Sequence, residues 1–307
     1  MRPIRLILAL LPLFLLIRCT KPIPKDFSAE VLPSPSAEPP LLAVHIVNQN
    51  AVVQMDIETY IAGVVAGEMP NSWPLEALKA QAILARTFVL KFVTEKDSMY
   101  PGADISTDIK EAQAYNAEAV NARVQQAVRE TAGLILLTND NTLPYTWFHS
   151  HSGGITETAS NGIDWRDDEP SYIISTRGCE ADSTPWEASF TIEEFLAACR
   201  SSGSPAASCK TVEIGRKGQS GRAVTLLVDG TPVNAARLRI ALGSSRMRST
   251  LLTSITVHSG EVHISGYGYG HGVGMSQWGA YNLAQLGKSA EEIALHYYKG
   301  LRVVKAW

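Results

Sequence analysis

The 307-residue chain is 45% hydrophobic and 19% charged, with a formal net charge of −3. That is enough apolar material for one large or two modest packed domains. Lysine and arginine are scattered with no basic stripe, which excludes a nucleic-acid partner.

Arg2 and Arg5 precede an apolar run, residues 6–17, that leads to Cys19. As a helix the run covers about 18 Å, against about 30 Å of bilayer hydrocarbon, so residues 1–19 read as an export signal rather than a membrane span. Leu16-Ile17-Arg18-Cys19 resembles a bacterial lipobox, in which the cysteine becomes the acylated first residue, although Arg18 stands where that pattern has a small residue. Lipidation at Cys19 is the expectation, with a soluble exported protein or an uncleaved anchor as the alternatives. Residues 20–40 carry Pro22, Pro24, Pro33, Pro35, Pro39 and Pro40 among Ser, Lys and Glu, a composition that cannot pack and stays extended. They read as a tether that holds a domain, residues 41–307, off a membrane in the cell envelope. Of the remaining cysteines, Cys199 and Cys209 are the nearest pair, and an exported compartment permits one disulfide between them.

Residues 41–54 alternate and predict a strand pair. Asp56 then serves as an N-cap for a helix with Ile57, Tyr60, Ile61, Val64 and Val65 at helical spacing, and Gly67 as its stop. Glu68 falls just beyond, the one carboxylate between Glu58 and Glu76, in an otherwise apolar run. The negative helix end and partial desolvation both disfavour its ionised form, so a raised pKa and a proton donor near neutral pH are expected. The alternative is an acid that caps a turn or pairs with a nearby Lys or Arg. Pro74 opens a second helix with Leu75, Leu78, Ala82, Ala85 and Val89 as its apolar stripe. Gln81 and Arg86 lie on it among alanines, Arg86 being either solvated or a clamp on a ligand or on Glu68.

A long helix is expected over residues 109–131 with Gly133 ending it, then strands at 134–138 and 145–149. Thr191-Ile-Glu-Glu194 is a capping box for a helix through Cys199, and residues 224–228 followed by Asp229-Gly230 predict a hairpin. Further strand follows at 254–264, and Ser289 caps a last helix to Tyr297 or Tyr298. Helices and short antiparallel strands are interspersed without regular βαβ alternation or repeats, so the class is α+β.

Two more clusters carry chemistry. In Gly266-Tyr-Gly-Tyr-Gly-His271-Gly-Val-Gly-Met-Ser-Gln277 every second residue from 266 to 274 is glycine, a density that demands close backbone approach to a ligand or to another chain segment. His271 is its lone histidine, with either a structural role or a substrate-binding or catalytic one. No Lys-Ser/Thr closes the strip, which excludes a phosphate loop. In Phe148-His149-Ser150-His151-Ser152 the two histidines share a strand face and, with Cys179, could ligate zinc; no fourth ligand is evident, and pocket-lining polar groups are the default.

Together, residues 60–70 ending Gly67-Glu68-Met69-Pro70, residues 75–87, His149 to Glu157, Gly270 to Gln277 and His296-Tyr297-Tyr298 resemble the SpoIID/LytB family of bacterial wall proteins. Arg239 to Gly243 and Arg248-Ser-Thr250 also fit it. The family is named for stage II sporulation protein D and an amidase enhancer. The resemblance implies a SpoIID-like domain and a lytic transglycosylase that cuts peptidoglycan glycan strands, preferring peptide-free ones. Glu68 matches the catalytic acid. Gln81, Arg86, His149, Ser152, His271, Gly272 and Gln277 are the expected substrate-binding residues, with the glycine strip along the sugar groove. The mechanism requires no metal and no cofactor, although some members resemble zinc proteins. Two alternatives stand beside it: a non-catalytic glycan-binding enhancer of a cell-wall amidase, and a zinc hydrolase using His149, His151 and Cys179.

Overall fold

The computed structural model describes residues 38–180 and 185–307. The expected signal, the expected lipidation site Cys19 and nearly all of the expected tether lie outside those residues. Among the described residues no helix is long and apolar enough to cross a membrane.

Strands β1 (Leu41–Ile46) and β2 (Ala51–Asp56) pair antiparallel, and β1 also pairs in parallel with the short β3 (Ile105–Ser106). Asp56 ends β2 and caps helix α1 (Ile57–Glu68), its carboxylate accepting from the Thr59 N–H at 3.0 Å and the Thr59 hydroxyl at 2.6 Å. The face with Ile57, Tyr60, Ile61, Val64 and Val65 is fully buried. Gly67 does not stop this helix, contrary to expectation: α1 runs through it, and Met69 is the extended C-cap. Glu68 is therefore the last helical residue rather than the first beyond it.

Helix α2 (Leu75–Glu95) is the centre of the molecule, buried from Ala77 to Thr87 except at Lys79. Its alanines let neighbouring helices pack closely: α1, α3 (Ala122–Glu130) and the helices Gln277–Gln285 and Ala290–Tyr297 all pack against it. The single long helix expected over residues 109–131 is not formed. Asn116 and Asn121 each accept, through the side chain, a backbone N–H three residues on, at 3.2 and 3.0 Å, starting first a short 3-10 turn and then α3. Asparagine competes for backbone groups in this way and favours caps over helix interiors. The stretch expected as strand at 145–149 shrinks to Phe148–His149, paired in parallel with Met275–Ser276.

Apolar side chains segregate into two cores. The first joins α1, α2 and α3 to the C-terminal helices; the second is built within residues 186–264, around Phe190, Phe195, Leu226, Leu238 and Val262. Cys199 and Cys209 are buried in the second core, and Cys179, Cys199 and Cys209 are all free thiols, so the expected 199–209 disulfide is absent from this structure.

One buried ion pair ties the first core together. Fully buried Arg86 donates from Nη2 to Glu58 Oε2 at 2.5 Å, from Nε to Glu58 Oε1 at 3.1 Å and from Nη1 to the Leu134 carbonyl at 2.8 Å. Glu58 also accepts from the Gly133 N–H at 2.9 Å and from Trp307 Nε1 at 3.0 Å. Arg86 is thus neither solvated nor free to clamp a ligand, because its donors are spent inside the fold. Arg86→Met leaves Glu58 without a counter-charge and is expected to lower unfolding free energy by about 3–5 kcal/mol in urea titration. The double change Glu58→Gln, Arg86→Met should recover part of that loss.

Candidate active site

Glu68 is positioned by two glycines one helical turn apart. A Cβ on Gly67 would lie 2.7 Å from the Ala114 carbonyl carbon, and one on Gly63 would sink into the Tyr115 ring. Without side chains there, residues 112–116 lie directly on α1: the Asn116 N–H donates to the Gly63 carbonyl at 2.9 Å, and the Ala114 N–H donates to Glu68 Oε1 at 2.7 Å. Burial raises the Glu68 pKa above its ordinary value, opposed by the Ala114 N–H and then by the Gln277 amide. Gln277 Nε2 has no hydrogen-bond partner of normal geometry, so its hold on Glu68 is loose.

Glu68 opens onto a cleft of about 410 Å³ that His149, His271 and Gln277 also line. The wall holding the histidines is a broken ladder. His151 bridges to Tyr269, Glu157 to Val273, and Phe148–His149 to Met275–Ser276, so the glycine strip runs alongside the histidine segment. His149 Nδ1 donates to the Val273 carbonyl at 3.1 Å, which leaves its Nε2 as a lone-pair acceptor with no protein partner. The Val273 N–H donates to His271 Nδ1 at 3.0 Å, and the Phe148 carbonyl engages the same ring. Both imidazoles are neutral at physiological pH. Burial, then His271 and Arg222, hold His149 well below the usual histidine range, and burial with Arg239 and Arg222 brings His271 down to about 3.

The other expected binding residues do not line this cleft. Gln81 is wholly buried on α2 with neither amide atom paired, and Arg86 belongs to the ion pair with Glu58. Ser152 sits behind the wall, donating its N–H to Glu180 Oε1 at 2.6 Å and accepting from Arg222 Nη2 through its carbonyl at 2.7 Å. Gly272 has φ +84°, and a Cβ there would overlap the Arg222 guanidinium. At Gly272 the strip needs glycine because it passes over its own chain, whereas Gly270, His271 and Gln277 line the cleft.

Gln113, Trp147 and Arg239 line the cleft, and sequence reasoning did not assign them to it. Gln113 was hidden by the helix expected across it. Arg239 sat in a segment that fits the family, which was the available signal. Glu157, the next carboxylate along the histidine segment, is fully buried; burial raises its pKa, but hydrogen bonds from Ser220, Thr158 and Asn161 outweigh that and hold it below the usual range. Cys179 Sγ lies 3.3 Å from His296 Nε2, so its neighbour is neither His149 nor His151. Among the described residues no three His, Cys, Asp or Glu side chains are grouped to hold one metal ion.

The SpoIID family model, described as stage II sporulation protein, matches residues 47–137, which include Glu68 and its glycines. An uncharacterised protein of Brachyspira hyodysenteriae is 32% identical over 82% of this chain and 68% of its own. Stage II sporulation protein D of Bacillus subtilis is 29% identical over 94% of this chain and 84% of its own. The chain belongs to the SpoIID/LytB family. The similarity of this SpoIID/LytB member to the amidase enhancer of Bacillus subtilis is 28% identity over 78% of this chain and 39% of that protein.

The raised pKa has a cost in stability. Below the ordinary value of 4.5 both folded and unfolded chains hold the Glu68 proton. As pH rises from there, the unfolded chain releases it first, so native stability falls until the folded-state pKa is passed. Glu68→Gln is therefore expected to match the wild type in urea midpoint near pH 4 and to exceed it at pH 8. A gap that is absent or reversed at pH 8 would contradict the desolvation argument.

Proposed function

We propose that this protein is a lytic transglycosylase that cuts peptidoglycan glycan strands to 1,6-anhydro-muramic products, with Glu68 as both acid and base. The observation that carries the reading is that Glu68 is the sole carboxylate among the described residues lining the cleft, and that burial favours its protonated form. A hydrolase of the usual kind needs a second acid to act as nucleophile or to activate water. A single carboxyl suffices when the nucleophile is the substrate's own hydroxyl. Protonated Glu68 donates to the glycosidic oxygen as the C1–O bond breaks. The resulting carboxylate takes the proton from the muramic C6 hydroxyl as O6 bonds to C1, which restores Glu68 and consumes no water.

The surroundings suit a polysaccharide. An adjoining hollow shares Phe88, Thr146 and Trp147 with the cleft and continues to Tyr145 and Trp165. Tyr145 and Trp147 stack at 4.9 Å with planes 4° apart, and Trp165 stands edge-on to Trp147 at 5.1 Å, giving flat apolar faces against which sugar rings can lie. His149 Nε2, the unpaired amide of Gln113 and the loosely held Gln277 Nε2 supply hydrogen-bonding groups to hydroxyls and N-acetyl groups. This activity belongs to an exported protein of the cell envelope, anchored through a lipid on Cys19. The mechanism uses no metal and no cofactor.

A second reading follows from the likeness to the amidase enhancer: the same cleft could bind glycan and stimulate a partner cell-wall amidase without cutting. Glu68→Gln separates the two. It keeps size and the Ala114 hydrogen bond but removes the transferable proton, so release of 1,6-anhydro products from peptide-free strands should fall by about 10² or more while strand binding stays near wild type. Mass spectrometry of the products is the measurement. Equal product release by wild type and Glu68→Gln would remove Glu68 from the chemistry, and no anhydro product from either would leave the enhancer reading standing.

A further inference from the structure

The cleft presents its ligand with a cation that the protein itself does not neutralise. Arg239, on the helix Ala235–Ala241, is 6% exposed and lines the cleft that holds Glu68. Its Nε donates to the Arg248 carbonyl at 3.0 Å, which fixes the guanidinium plane. Among the described residues that is its one hydrogen bond, and no carboxylate pairs with it. A second arginine, Arg222, lies behind it, fully buried, with Nε and Nη1 unpaired. Burial pushes both guanidinium groups down to about 10, still cationic at physiological pH, while the two histidines beside them are neutral.

A guanidinium nine-tenths removed from water without an anion is costly, and the cost is offset when a ligand brings the anion. The fork of a guanidinium matches a carboxylate through two parallel N–H···O bonds. On a glycan strand of alternating N-acetylglucosamine and muramic acid, the anionic group is the lactyl carboxylate of muramic acid. It is free only where the peptide stem is missing, because the stem is joined there as an amide. We propose that Arg239 is the specificity-determining residue of this cleft and pairs with the lactyl carboxylate of a peptide-free muramic acid. The proposal rests on the glycan-cleaving reading of the same cleft and adds how stripped strands are told from stem-bearing ones. A stem-bearing muramic acid brings a neutral amide to Arg239 and leaves the buried cation unpaired.

The test measures binding rather than cleavage, so that it stands apart from the transglycosylase assignment. Peptide-free strands are prepared in two forms, one with free lactyl carboxylates and one with those carboxylates converted to primary amides by carbodiimide and ammonia. Their affinities are measured by calorimetry for full-length Glu68→Gln and for Glu68→Gln combined with Arg239→Gln or Arg239→Lys. The Glu68→Gln protein should bind the carboxylate strands about 10-fold or more tighter than the amidated ones. Arg239→Gln should abolish that difference by weakening binding to the carboxylate form alone. Arg239→Lys, which keeps the charge but not the fork, should retain part of the difference and guards against misfolding of the Gln variant. Equal affinity of Glu68→Gln protein for the two strands overturns the proposal. So does an Arg239→Gln variant that weakens both equally or keeps the full discrimination. Failure of the transglycosylase reading would show elsewhere, as absence of anhydro products from wild type, and would leave the binding comparison interpretable.

Discussion

Helix α1 is held at both ends by chain that lies far away in sequence, and the geometry of the cleft depends on it. At its first turn Glu58 receives Arg86 of α2, the Gly133 N–H and the Trp307 indole, joining α1 and α2 to the start of the strand Leu134–Leu137 and to the C-terminus. At its last turn Gly63 and Gly67 admit the segment 112–116, whose Ala114 N–H holds Glu68. A helix pinned twice has little freedom to tilt. The carboxyl at its end is therefore held in place by backbone and by a buried ion pair, both stiffer than a surface side chain.

The cleft carries buried polar atoms that the protein leaves unsatisfied. His149 Nε2, both amide atoms of Gln113 and Gln277 Nε2 are buried without partners. Buried polar atoms are nearly always paired, so a cluster of orphans on one concave surface marks where a ligand or water completes the hydrogen bonds. The Arg239 guanidinium, held by a carbonyl and facing no carboxylate among the described residues, belongs to the same pattern in electrostatic form. Behind the wall Glu157 and Ser152 are extensively hydrogen-bonded and hold the glycine strip against the histidine segment, while Arg222 Nε and Nη1 and Glu180 Oε2 stay unpaired.

Burial acts in opposite senses on the groups around Glu68. It favours the neutral form of each, so the carboxyl tends to keep a proton while both imidazoles tend to lose theirs. Acid and histidines are thereby set to different tasks by one cause. The carboxyl can donate a proton, and the imidazoles are left as fixed, uncharged hydrogen-bonding groups. Only the arginines, with pKa values far above neutrality, keep their charge under the same burial.

Much of this was legible in the sequence because it is local. The cap at Asp56, the apolar faces of α1 and α2, the hairpin at Asp229-Gly230 and the capping box at Ser289 depend on spacing and turn chemistry alone, and all of them form. The isolation of Glu68 among apolar residues was equally local, and burial does raise its pKa. What sequence could not decide was which polar residues meet. Arg86, Ser152 and Gly272 carry the residue types of a binding site, yet tertiary contacts commit them to Glu58, Glu180 and the passage over Arg222. Gln113 and Arg239 reach the cleft from a loop and a helix more than a hundred residues apart, the loop freed from helix by asparagine caps. Local patterns are set by hydrogen bonds and periodicity within a few residues, whereas the partner of a buried charge is whichever group the packed core brings beside it.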